Sequence, residues 1–211
     1  YRFDGTRHNR YGANTEAEDL AMRPRSFVPD PRSGIWLGYL TGGAVHVEHD
    51  RYTRFDESSG LPAGAAVTGF AFSEGRVVAA TAKGIFELAG GGWSMLVGHD
   101  LLEGKFIDDV EFDRQGGLWA KTSEGVFHRA KGASAFSSQP LPPGDSVLGG
   151  LVVSTAGQPW LWNMWGQTVC RLDSIKPFAC WQAPGVADPK FDGDGNLWWA
   201  DNTLVHRVEN A

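Results

Sequence analysis

The sequence predicts an all-β protein, and three observations predict it. Trp36, Val78, Trp119, Trp160 and Trp198 are separated by 42, 41, 41 and 38 residues, and each belongs to a short apolar run that follows a turn-forming cluster. A second series, Leu61-Pro62-Ala63-Gly64, Leu101-Leu102-Glu103-Gly104 and Leu141-Pro142-Pro143-Gly144, keeps the same register. Glycine, with 28 residues, and proline, with 11, are spread over turn positions rather than clustered. A spacing of this size is far longer than any helix or strand periodicity, so it marks a recurring supersecondary unit. Runs of four to six residues rich in Val, Ile, Phe and Trp, bounded by Gly, Asp and Ser, make that unit one of strands.

The elements follow in chain order. Tyr1-Arg2-Phe3-Asp4 reads as a third strand, because Phe3 precedes Trp36 by 33 residues, as Phe86 precedes Trp119 and Phe127 precedes Trp160. Thr15 to Met22 offers at most a turn of helix. Asp30 to Trp36 forms the first full turn-and-strand signature, and Glu74-Gly75-Arg76-Val77-Val78 is a worn copy. In the third repeat, Ile107 to Phe112 is strand one, Asp113 to Gly117 a turn, and Leu118 to Thr122 strand two. Ser123-Glu124-Gly125 then leads into Val126 to Arg129, and Ser134 to Ser137 is the last strand. Ala156 to Trp160 and Asp192 to Trp198 open the remaining two units, and Val205 to Val208 is again a third strand.

Tandem four-stranded units of this length predict a β-propeller of about five blades, either a five-bladed ring or part of a larger, seven-bladed one. The expected division is a partial blade over 1–20, blades near 21–60, 61–100, 101–140 and 141–183, and an incomplete one over 184–211. A blade cannot bury both of its faces alone, so Trp36, Trp119, Trp160 and Trp198 are expected as core wedges between neighbours. Removing one such indole costs about 3–5 kcal/mol. Trp162, Trp165 and Trp199 stand outside the repeat.

The formal charge of −6, with no run of Lys or Arg, argues against a nucleic-acid partner. No stretch approaches the roughly 18 apolar residues of a membrane span, and no signal peptide opens the chain. A mature segment of a longer protein is expected, with any membrane anchor outside it.

The repeats resemble the two-component regulator propeller, the periplasmic sensor module of bacterial hybrid histidine kinases and diguanylate cyclases. The resemblance rests on Asp113 to Trp119, Asp192 to Trp198, Gly34-Ile35-Trp36-Leu37-Gly38-Tyr39 followed by Gly42-Gly43, Gly60-Leu61-Pro62, and Tyr1 to Gly5. Val78 in place of Trp and Ser154 in place of Asp depart from the pattern. The resemblance implies seven-bladed rings and an input domain that binds a ligand or a neighbouring domain outside the cytoplasm. It implies a periplasmic location, with the output module elsewhere in the parent protein.

In a four-stranded blade, the loop before strand one and the loop between strands two and three emerge on one face. Residues there converge on the central channel. This selects Tyr39, Lys83, Asp108, Lys121, Asn163, Trp165, Asp188 and Asp201, with Thr41, Thr81, Asp109, Glu124, Gln167 and Asn202 beside them. Acids, amides and indoles in a ring suit a small polar ligand such as a carbohydrate. Asp192-Gly193-Asp194-Gly195 imitates a calcium loop, but Thr203 stands where the bidentate glutamate belongs, so no metal is expected. The histidines lack zinc-protease spacing, no serine sits in a nucleophile elbow, and Asp108 and Asp109 point to opposite faces of their strand. Neither a catalytic residue nor a cofactor is expected.

Cys170 and Cys180 flank a hairpin, and antiparallel pairing places them opposite each other; a disulfide and a reduced buried pair both fit that position. The leading expectation is a non-enzymatic extracytoplasmic sensor, with a homodimer as an open possibility. The alternatives are a propeller enzyme of the streptogramin-lyase type and an architectural docking propeller.

Overall fold

A computed structural model describes residues 2–3, 8–9, 24–49, 51–96, 101–142, 149–172 and 178–209. Most of the expected partial blade over 1–20 lies outside the described residues. Within it, β1 (Arg2–Phe3) pairs antiparallel with β2 (His8–Asn9).

The rest is five consecutive antiparallel blades of a β-propeller. The first holds β3 (Pro24–Pro29), β4 (Ile35–Tyr39), β5 (Ala44–Glu48) and β6 (Arg51–Phe55). The second holds β7 (Val67–Ser73), β8 (Arg76–Thr81), β9 (Gly84–Ala89) and β10 (Gly92–Met95). The third holds β11 (Ile107–Phe112), β12 (Leu118–Thr122), β13 (Gly125–Arg129) and β14 (Ser137–Ser138). The fourth holds β15 (Gly150–Val153), β16 (Pro159–Asn163), β17 (Thr168–Arg171) and β18 (Cys180–Gln182). The fifth shows three strands, β19 (Lys190–Phe191), β20 (Leu197–Ala200) and β21 (Val205–Val208). Each is a meander in which sequence neighbours pair, and the first strands β3, β7, β11, β15 and β19 pack in succession at the hub. Helix among the described residues is confined to the short turn Glu57–Ser59, capped by Asp56.

The turn before each second strand explains the repeated Asp, Gly and Trp. In three blades one oxygen of Asp30, Asp113 or Asp192 accepts turn N–H groups, while the other accepts the indole N–H six residues later. The indole distances are 3.0, 3.2 and 2.7 Å for Trp36, Trp119 and Trp198. A carboxylate is the side chain that can satisfy both sets of donors at once. Gly75, Gly116, Gly157 and Gly195 occupy the tight position of this turn with φ between 81 and 86°, a region closed to most side chains.

The indoles then wedge the seams. Trp36 packs with Phe70, Val77, Ala79 and Trp93 of the second blade. Trp119 meets Leu151 and Leu161 of the fourth, and Trp160 meets Leu197 and Trp199 of the fifth. Val78 serves the seam between blades two and three with Val110, Leu118 and Ala120, in a filling completed by Phe127 and Phe136 of the third blade. Trp198 corrects the expectation. Successive strand residues alternate faces, so Trp199 is the one turned to the fourth blade and buried, while Trp198 stays half-buried on the opposite face under the Arg207 guanidinium.

A second repeat, within the hub strands, was not anticipated. The pairing of strand one with strand two breaks register between Pro24 and Ser26, Val67 and Gly69, and Ile107 and Asp109. Each irregularity carries a side chain that ties its blade to the next. Ser26 Oγ donates to Val67 O at 3.2 Å, Thr68 Oγ1 donates to Ile107 O at 2.6 Å, and Asp109 Oδ2 accepts from Leu151 N at 3.1 Å. Bulges re-aim side chains in this way.

Candidate functional site

The loops before strand one and between strands two and three share one face, and side-chain contacts link them. Lys83 Nζ donates to Ala63 O at 3.1 Å, and Lys105 pairs with Glu124. The positions three residues beyond the repeated Trp, namely Thr81, Thr122, Asn163 and Asp201, all cap the following hairpin. Asn163 and Asp201, selected as ligand groups, therefore have an oxygen committed to their own turns. Asp201 Oδ2 also meets His206 Nε2 at 2.8 Å, and the His206 contact, with the Thr203 and Leu204 N–H groups, holds its carboxyl well below the usual range.

Tyr39 is likewise corrected. It is buried against Val45 and Val47 on the side of the first blade away from the second, because its strand alternation sets it opposite to Trp36. Asp108 and Lys121 do come together: the buried Lys121 ammonium donates to Asp108 Oδ2 at 3.0 Å. Asp188 pairs with Lys190 at 2.8 Å on the hub strand of the fifth blade. Lys83 is exposed on the loop face. Trp165 is 76% exposed, on a turn fixed by Asn163 Oδ1, which accepts from Trp165 N and Gly166 N at 3.0 and 2.9 Å.

Trp165 has company. Leu40, Leu101, Phe106, Met164 and Leu204, all exposed large apolar side chains, lie on the same set of loops, in blades one, three, four and five. Scattered exposed apolar residues need no explanation, but their concentration on one face does.

At the hub beneath this face, Asp109 and Glu111 sit two residues apart on β11 and so point to the same side, toward the fourth blade. The residues that match Glu111 across from the repeated Trp position are the apolar Val28, Ala71 and Val152 in the first, second and fourth blades and Lys190 in the fifth. Burial pushes Glu111 up to about 8, reinforced by the Asp109 and Asp188 charges and opposed by Lys190. Burial also raises Asp109, to about 6, against the N–H groups of Leu151 and Val110 and the Lys190 and Lys121 ammonium charges. Glu111 accepts no hydrogen bond among the described residues. Sequence reasoning set Asp108 against Asp109 and passed over Glu111; the signal was the two-residue spacing of Asp109 and Glu111.

Among the described residues no group of His, Cys, Asp and Glu is arranged to hold a metal. No helix there is long and apolar enough to cross a membrane. Cys170 and Cys180 form a cross-strand disulfide between β17 and β18 with a Cα separation of 4.1 Å.

No protein-family model matches the chain, and no curated protein matches its sequence. Solved structures do. The chain is similar to virginiamycin B lyase from Staphylococcus aureus, with a TM-score of 0.66 at 12% identity over 88% of this chain and 69% of that one. It is similar to the extracellular domain of the putative one component system BT4673 from B. thetaiotaomicron, with a TM-score of 0.67 at 16% identity over 96% of this chain and 29% of that one. A putative gluconolactonase gives a TM-score of 0.59 at 16% identity, covering 90% of this chain and 75% of the other. At these identities the likeness establishes the propeller, which carries both enzymes and extracellular sensor domains.

Proposed function

We propose that this chain is a non-enzymatic, extracytoplasmic input domain of a bacterial signalling protein, and that its loop face receives the ligand or neighbouring domain that constitutes the signal. The observation that carries the reading is Trp165, an exposed indole on a turn whose backbone Asn163 fixes, on the face where the other exposed apolar loop residues gather. Tryptophan anchors binding well, because it offers a large apolar surface with only two side-chain torsions to order on contact. The Cys170–Cys180 disulfide supports an oxidising compartment. The extracellular sensor domain among the structural neighbours supports the same setting.

The test is a Trp165→Ala protein. Its melting temperature should match the parent's, since the indole touches little of the fold, while its affinity for the downstream modules of the parent protein or for periplasmic extract components should fall at least tenfold. Unchanged binding would overturn the reading. The raised pKa of Glu111, beside Asp109 on the same strand, favours one second reading, a propeller enzyme of the lyase type, since a carboxylic acid kept protonated near neutral pH can donate a proton to a leaving group. Lyase activity of the chain on a streptogramin B, abolished in Glu111→Gln, would favour that reading instead.

A further inference from the structure

On the opposite side of the propeller, at the seam between the third and fourth blades, lies a pocket of about 540 Å³ bordered by Trp119, His128, Gln115, Gln139, Gln158 and Leu172. Its origin can be read by comparing blades. Phe55, paired with Ala44 on the rim strand of the first blade, stacks on Trp36 with ring centroids 5.3 Å apart. Trp181, paired with Val169, stacks on Trp160 at 5.0 Å. The matching rim position in the third blade is Gln139, whose N–H bonds Val126 O. Where Arg32 folds over Asp30 with two hydrogen bonds, the third blade has Gln115 two residues after Asp113. Two covering side chains of the first blade are thus both replaced by glutamine at one seam, which leaves space above the stacked Trp119 and His128 rings.

The polar groups around that space are oriented. Gln139 Nε2 donates to Ser137 O and Oγ at 3.2 and 2.9 Å, and Gln158 Nε2 donates to Leu172 O at 2.6 Å. With their nitrogens anchored, both carboxamides keep an oxygen that accepts no hydrogen bond among the described residues. His128 Nε2 is engaged by Asp113 Oδ2 at 2.9 Å, so the ring is locked flat against Trp119 at 4.2 Å between centroids. Asp113 is itself occupied by Gln115 N, Gly117 N and the Trp119 indole, so no free charge faces the pocket from it. Fixed acceptors beside an aromatic floor and aliphatic walls recognise a neutral ligand that carries many hydroxyl donors and an apolar ring face.

We propose that this seam pocket binds a saccharide. The site is independent of the loop face and of the role proposed for it. Maltose, cellobiose and N,N′-diacetylchitobiose serve as probes, each titrated to about 20 mM into the isotope-labelled chain, the millimolar range being that of weak small-ligand sites. Shifts in the side-chain amide signals of Gln139 and Gln158 and the indole signal of Trp119 with at least one probe are expected. Gln139→Phe, which restores the aromatic cover seen at Phe55, should weaken that probe at least tenfold while keeping the fold. If that variant does not fold, Gln158→Leu takes its place with the same expectation. Trp165→Ala should leave the shifts unchanged. Absence of shifts with all three probes would overturn the proposal, as would shifts that survive both pocket substitutions or that Trp165→Ala alone abolishes. The last outcome would place saccharide on the loop face and leave the reading of that face intact.

Discussion

The missing carboxylate of the fourth blade shows how much one side chain decides. Ser154 stands where the other Trp-bearing blades have Asp, and its hydroxyl still accepts from Gln158 N at 3.1 Å. It cannot also reach the indole, and Trp160 Nε1 is one of two buried side-chain polar atoms without a partner among the described residues. An unpaired buried donor costs about 1–3 kcal/mol. Ser154→Asp should therefore stabilise the protein by about 1 kcal/mol, with Arg171, the cross-strand neighbour of Trp160, supplying a countercharge where the third blade uses His128. A higher urea midpoint at constant m would show it; a lower midpoint would contradict the account. The sequence displayed the Ser154 departure plainly, because the Asp-to-Trp interval recurs. It did not display the geometry behind that interval, in which the same carboxylate serves both a turn and a ring, because hydrogen-bond direction is not a periodic property.

At the scale of the strand, alternation explains both the successes and the misses. Trp36, Trp119 and Trp160 were legible as seam wedges because a recurring large apolar residue on strand two has one buried face to occupy. Trp198 keeps the same place, bonded to Asp192 and opposite Lys190 on β19, but no described blade packs on that face, so it stays half-buried while its neighbour Trp199 fills the seam with the fourth blade. Glu111 is the same lesson in reverse, a charged residue at a position that is apolar in three other blades. Its carboxyl is raised in the folded state, so the folded protein holds its proton more tightly than the unfolded chain does. Linkage then makes the contribution of Glu111 to stability greatest below the unfolded value of about 4.5 and lost as pH rises toward the folded value of about 8. Asp109 adds to the same decline up to about 6. Denaturant midpoints should fall across that window, and Glu111→Gln, which keeps the shape and removes the titration, should flatten much of the fall. An unaltered slope in the variant would show that Glu111 does not titrate there.

Across the whole molecule, the spacing of five signatures was enough to predict a propeller, since stacked nearest-neighbour units are the arrangement that buries both faces of each blade. The lining of its seams was not, because each seam depends on which residue of one blade meets which residue of the next. The disulfide belongs to this scale, since it bears on where the protein can fold. It joins residues 10 apart, and closing so short a loop in the unfolded chain contributes about 2–3 kcal/mol. Reduction should lower the denaturation midpoint accordingly, and the intact mass should rise by two hydrogens on reduction; a mass that does not change would mean that the thiols are free in solution. The hub bulges have a different consequence. Ser26 and Thr68 fasten their seams with hydroxyls, which hold at any ordinary pH, whereas the third seam is fastened by an acid. A cation or a proton arriving at Asp109 competes with the Leu151 amide, so one latch among these three answers to the chemistry of the surroundings. Losing that one bond leaves the hydroxyl fastenings of the other two seams in place.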